Sequence, residues 1–283
     1  MEASVVRVQS EIKRHPVYGD IRFYFSVAIL LIFLIFVLFA PQLALQDPES
    51  MDLNQRLTRP NWLHPMGCDI FGRDLFTLVV FGARQTFEIV LATVSLSTFV
   101  GVIAGVAAGY FRGFVEMVIM RVVDILMAFP GILLAMSLAS FLGPSIHNII
   151  FAISATGWTS TARLMRSQVL SLREREHVTA ARAIGASNFR ILVHHILPFL
   201  WTPLLVASTF SLSGVILIEA SLSFLGLGAN SSIPTWGGLL FQGRGVLEEA
   251  PFLSIIPGVL IATVILSLNF IGDILRDVLD PRL

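Results

Sequence analysis

The chain has 283 residues, of which 55% are hydrophobic and only 13% charged, too little charge to give a soluble fold of this size a solvated surface. Basic and acidic residues balance at 19 each, so net charge points to no nucleic-acid or other strongly charged partner, and the single Cys68 excludes an intrachain disulfide framework and a cysteine zinc cage. Lipid is the solvent that this composition fits.

A helix crosses a bilayer with about 20 mostly apolar residues. In chain order, the first such run is Phe23 to Gln46, preceded by a 22-residue head. Its length and the absence of a small-residue cleavage site argue against a removable signal peptide. The stretch "HPMGCDIFGRD" (64–74) then reads as an external turn, since the ligands and spacing for a metal at His64, Cys68 and Asp69 are incomplete. The turn leads into an amphipathic segment, 74–90, expected to lie along the membrane surface. Ile89–Phe111 is the second span. Ile125–Ala162 is too long for one crossing, and "LGPS" at 142–145 divides it into the third and fourth. Ile191–Ile218 and Ala250–Gly272 supply the fifth and sixth. The uncharged, glycine-rich 220–243 is a poor spanning helix, read as an external structured loop with a re-entrant hairpin as the rival. The expectation is an all-α integral membrane protein with six transmembrane helices, divided as 1–22, 23–46, 47–83 and 84–283.

Orientation follows from the basic residues. With 1–22, 111–121, 163–197 and 273–283 in the cytoplasm, all but Arg56, Arg59, Arg73, Arg84 and Arg244 of the 19 lie inside, so both termini are expected to be cytoplasmic.

Catalytic signatures are missing from the sequence. Lys13, the sole lysine, follows no glycine loop, so nothing here cradles nucleotide phosphates, and neither H-E-x-x-H nor G-x-S-x-G occurs. Glu88, Asp124, Glu219 and Asp273 are the acidic residues near span ends, where charge is costly. Arg121 and Asp124, three apart on one helix face, are expected to form a structural ion pair. Glu219 fits a satisfied structural role, with gating or a pathway position as the alternative. His177, His194 and His195 are expected to pack at the surface rather than bind metal.

The segment 172–198 is the informative one. Alanine and arginine favour helix in "HVTAARAI" (177–184), where Val178, Ala181, Ile184 and Ala180 share a small apolar side. Gly185 suits a helix stop and Ser187 an N-cap, after which "NFRILVHHIL" forms a second helix up to Pro198. Two short helices about one tight turn make a stiff lever beneath the membrane. Either it docks into a groove of a cytoplasmic partner or it is an ordinary interfacial connection.

"TAARAIGASNFRILVHHILP" (179–198) resembles the EAA loop of binding-protein-dependent ABC importer permeases, with Ala180, Ala181, Gly185, Leu197 and Pro198 in frame. Thr179 stands where that motif has glutamate, and His195 where it commonly has isoleucine. "HPMGCDIFGRDLFTLVVFGAR", "MRVVDILMAFPGILLA", "EASLSFLGLG", "PTWGGLL" and "NFIGDILRDVLDPRL" are similar to the C-type subunits of the dipeptide, oligopeptide and nickel group, with Cys68 replacing a threonine. The resemblance covers the chain from about residue 20 to its end. It implies the type I importer permease fold in the cell inner membrane, forming half of a pathway completed by a B-type permease subunit. It implies two ABC ATPase subunits, which hold ATP and magnesium, and an extracytoplasmic solute-binding protein; this chain itself would hold no cofactor or metal and do no bond chemistry.

Val178, Thr179, Ala180, Ala181, Arg182, Ile184, Gly185, Ala186 and Ser187 would then couple to an ATPase, with the contact of the missing glutamate altered or carried by Arg182 and backbone groups. Peptides are the expected substrate. Nickel chelates or glutathione are the alternatives within this architecture, and a membrane hydrolase or channel is the remote one. Ser137, Ser154, Thr156, Ser208, Ser211 and Ser213 are loose pathway candidates, since a serine within a span more often bonds its own backbone.

Overall fold

A computed structural model describes residues 21–229 and 232–279. The expectations for the head before residue 21 and for the last four residues, including the side on which the termini lie, fall outside the described residues, as do 230 and 231 of the 220–243 stretch. The described residues are helical apart from loops and one isolated bridge between Cys68 and Asp74.

Helix α1, Ile21–Leu38, is followed by a short turn of helix at Ala40–Leu43. Helix α2 runs unbroken over Leu75–Phe111, 37 residues or about 55 Å. The surface segment expected at 74–90 is therefore the first part of α2, and the boundary placed between 83 and 84 cuts through it. No proline interrupts this stretch. Its two charges, Arg84 and Glu88, pair along the helix at 3.2 Å, and Leu75, Leu78, Val79 and Ala83 are wholly buried.

Helix α3, Gly113–Met127, and helix α4, Gly131–Leu142, are two arms bent by 86°. Pro130 disfavours helical geometry at Phe129 and supplies no N–H, so the helix breaks there. The helical segment at the expected third span thus begins earlier than its apolar run and is broken in its middle. The turn expected at 142–145 is present, with Gly143 at φ 85. Helix α5, Ile146–Leu172, brings Arg163 and Arg166 to its second half. Helix α6 is Glu176–Ala183, and α7, Asn188–Leu227, carries a π turn at Leu192–Ile196, Pro203 in its interior and a second π turn at Ser223–Leu227 with a kink at Gly226, φ 83. The 220–243 stretch is divided: its start completes α7, and its end forms α8, Trp236–Gly243. Helix α9, Phe252–Leu279, closes the described chain.

Helices α1, α2, α7 and α9 are long and apolar enough to cross a membrane, and the bent α3–α4 pair makes a fifth such element. The tightest packing joins α2 to α5. Gly101, Gly105 and Gly109, four residues apart, face Thr161, Ala162 and Val169 so closely that a Cβ on any of them would come under 3.0 Å. Close backbone approach through small residues is how helices associate in lipid, where apolar burial gives no net drive.

Two cores result. One lies around the start of α2 and includes Leu75, Leu78, Ile149, Trp236 and Leu253. The other, around the end of α2, comprises Val106, Tyr110, Met165, Val169, Leu172, Val178, Ala181, Ile191, Ile196 and Leu200.

Candidate functional site

The segment 172–198 grows out of the second core. Helix α5 ends at Leu172, and α6 starts after Arg175, with Glu176 in its first turn and Arg182 in its last, each placed to favour the helix dipole. Its stop is a Schellman arrangement. The Ala186 N–H donates to the Ala181 carbonyl and the Gly185 N–H to that of Arg182, both at 3.0 Å, with Gly185 left-handed at φ 84. The Ser187 hydroxyl accepts from the Arg190 N–H at 3.4 Å, so α7 begins at the cap its sequence announces. A π turn at Leu192–Ile196 directly precedes Pro198, and the His195 carbonyl there accepts from His177 Nε2 at 3.3 Å. The His177 ring also lies 5.2 Å from that of Phe199.

The apolar side of α6 has a different use from the one expected. Val178 and Ala181 are buried in the chain's own second core, whereas Ile184, grouped with them by spacing, is 87% exposed. Ile184 follows the last turn of the helix, and the glycine turn swings it outward. The surface left free is formed by Thr179, Ala180, Arg182, Ala183, Ile184, Gly185 and Ser187, together with Phe189, which is 75% exposed. Phe189 escaped the sequence reading; the signal available was an aromatic residue two places after an N-cap in a polar stretch.

Asp124 does not pair with Arg121. Its carboxylate accepts from Arg163 of α5 at 2.9 Å, and Glu116, two turns earlier on α3, pairs with Arg166. Spacing of three brings Arg121 near Asp124, but the carboxylates of α3 face α5, and Arg121 has no ion pair among the described residues.

Of the pathway candidates, Ser137, Thr156 and Ser211 donate to carbonyls of their own helices. Ser154 is buried and donates to the Thr93 carbonyl of α2 at 3.3 Å. Ser213 is buried and bonds Asn269 of α9 at 2.8 Å. Ser208 is half-buried on α7. The six share no common surface of hydroxyls; Ser154 and Ser213 are packing residues between helices.

Glu219 is fully buried, and one carboxylate oxygen accepts from both Ser223 and Thr235 at 2.8 Å. Thr235 also caps α8 by accepting from the Gly238 N–H. The next residue, Trp236, donates from its backbone to Thr86 and from its ring to the Val79 carbonyl. Glu219 thus fastens α8 to the outer end of α7, while its second oxygen has no partner among the described residues.

The cap at 47–74 is pinned in the same manner. Arg73 pairs with Asp69 at 2.7 Å, both buried, and donates to the Ser232 carbonyl. His64 Nδ1 meets Asp74 at 2.9 Å, and the other oxygen of Asp74 accepts from the Thr77 N–H to cap α2. His64 and Asp69 are thus committed to protein partners. Burial, followed by the carboxylates of Asp74, Asp69 and Asp52, pushes the Cys68 thiol up to about 11. Among the described residues, no three His, Cys, Asp or Glu side chains converge as a metal site would require.

Residues 101–283 match the family of binding-protein-dependent transport system inner membrane components. The chain belongs to that family. The permease is 41% identical over 251 residues to the dipeptide transport system permease protein DppC of Alkalihalophilus pseudofirmus, covering 89% of this chain and 83% of that one. It is 42% identical over 261 residues to a putative peptide transport system permease protein of Brucella suis, covering 92% and 88%. It is 36% identical over 238 residues to the glutathione transport system permease protein GsiD of Pectobacterium atrosepticum, covering 84% and 79%. Among solved structures, the inward-facing MetNI methionine ABC transporter shares the fold, with a TM-score of 0.61 at 20% identity over 73% of this permease and 98% of that chain.

Proposed function

We propose that this permease imports peptides, dipeptides among them, as one half of a transmembrane pathway driven by ATP hydrolysed on other subunits. Counting α3–α4 as one broken span and α5 as another gives six crossings, with both termini on the cytoplasmic side that the arginines select. A B-type permease subunit completes the pathway, two ATPase subunits holding ATP and magnesium sit beneath it, and a solute-binding protein delivers substrate from outside. The observation that carries the coupling reading is the continuity of the segment 176–227. Helix α6, the Gly185 turn and α7 follow one another closely, exposing Thr179, Arg182, Ile184 and Phe189 at one end and passing into a spanning helix at the other. Movement imposed on the exposed end then reaches the span.

The relatives named for dipeptide and peptide transport support the substrate class. The relative named for glutathione supports a second reading, a small peptide-like thiol. Reconstitution of the permease with its partner subunits and binding protein, assayed for ligand-stimulated ATP hydrolysis, tests both. Stimulation by dipeptides is the expected result, and stimulation by glutathione alone selects the second reading.

A further inference from the structure

The lever has a second attachment besides α7. Helix α2 ends at Phe111, and the backbone reverses through Arg112 at φ 53 and Gly113 at φ 57 into α3. One residue before that end, Tyr110 is 6% exposed and is gripped by both limbs of the 172–198 segment. On the entry limb, Arg173 donates to the Tyr110 carbonyl at 2.6 Å, and its guanidinium lies 6.0 Å from the tyrosine ring. On the exit limb, the Tyr110 hydroxyl donates to Asn188 Oδ1 at 2.8 Å, at the first residue of α7. Arg112 adds an exposed bond to Glu174 at 2.9 Å. A guanidinium on a terminal carbonyl of α2 also sits where the helix dipole is negative, which favours the contact.

The elbow leads directly into α3–α4. That pair buries few of its own side chains, Val123 of α3 and Ala135 and Ala139 of α4, and α3 is held to α5 by the Glu116–Arg166 and Asp124–Arg163 ion pairs. Helix α7 is covalently continuous with the lever, whereas α3–α4 is not; besides the α3–α5 ion pairs and the exposed Arg112–Glu174 bond, Tyr110 supplies the buried tie at the elbow. We propose that Tyr110 is a positioning residue that carries movement of the α6 lever into the α2–α3 elbow, so that α3–α4 reorients together with α7. This rests on the coupling function proposed above.

The test uses the complete complex in liposomes with its binding protein and radiolabelled dialanine. Y110F removes the hydroxyl and keeps the ring in the core; N188A removes the acceptor. Both variants should assemble with the ATPase, keep the thermal midpoint of the parent complex and keep dialanine-stimulated hydrolysis. Uptake per ATP should fall by about two- to tenfold, as coupling substitutions do, and Y110F/N188A should be no worse than either single change. Nitroxides introduced by F141C and L247C read the position of α4. Their distance should change on ATP addition in the parent and stay fixed in Y110F. Unchanged uptake per ATP in Y110F, or an unchanged ATP response of the nitroxide pair, would overturn the strut alone. A parent complex whose hydrolysis ignores every peptide would overturn the function, and the strut with it.

Discussion

In the 47–74 cap at one end of the molecule Asp69, Arg73, His64 and Asp74 are buried and paired with one another, whereas in the 172–198 segment at the other Thr179, Arg182, Ile184 and Phe189 stand exposed. Both ends connect long helices, and the cap is the longer of the two connections. In the cap, charge that would be costly when buried is satisfied within the chain, which fixes the outer ends of α2 and α7 relative to each other. The coupling segment spends its two inward apolar side chains, Val178 and Ala181, on anchoring itself and leaves the opposite surface uncommitted. A surface proposed to meet a separate ATPase needs that freedom; the internally paired cap does not.

The largest expected effect comes from breaking the cap. R73A strands Asp69 as a buried charge and should cost about 3–5 kcal/mol, seen as a collapsed yield of membrane-inserted protein and a lowered thermal midpoint in detergent. Replacing both partners with apolar residues of similar volume, D69L/R73M, removes the stranded charge but also the acceptor of the Phe71 and Arg73 N–H groups, and should recover only part of that loss. Next is the lever. G185V forces a β-branched residue into left-handed geometry at a local cost of about 1–2 kcal/mol; insertion should survive while uptake and ligand-stimulated hydrolysis are lost. If R73A abolished coupling at normal stability, or G185V prevented insertion, the contrast between the two ends would be broken.

Smaller changes sharpen it. Cys68 is buried with its thiol pushed up to about 11, so it should resist maleimide at pH 8 in the folded permease and react fully in denaturant. Because the folded form holds the thiol proton more tightly, this contribution to stability is complete below about pH 9 and is lost as pH rises toward 11; a cap that gained stability over that interval would contradict the assignment. The smallest effect belongs to D124N, which removes an exposed ion pair with Arg163 and should shift stability by about 0–1 kcal/mol in a denaturant titration.

What the sequence made legible was local. The Gly185 stop, the Ser187 cap, the break at Gly143 and the helix entering Pro198 are each written into two or three adjacent residues. The pairings were not. Arg84 and Glu88 looked like the edge of a span because a charge pair along a helix is indistinguishable in one dimension from a boundary. Asp124 was matched to its neighbour at three residues, yet its partner comes from another helix 39 residues away. Spacing grouped Val178, Ala181 and Ile184 without revealing that the first two enter the permease's own core. Tyr110 gave no sign at all, because its partners at 173 and 188 approach only in the folded protein.

The central claim is that the exposed edge of the coupling segment, and not its apolar side, meets the motor. Photocrosslinking amino acids placed singly at Ile184, Phe189 and Val178 in the assembled complex test it most directly. Capture of the ATPase subunit from Ile184 and Phe189, with Val178 reacting only within the permease, is the predicted result. Capture from Val178, or none from Ile184, would contradict it.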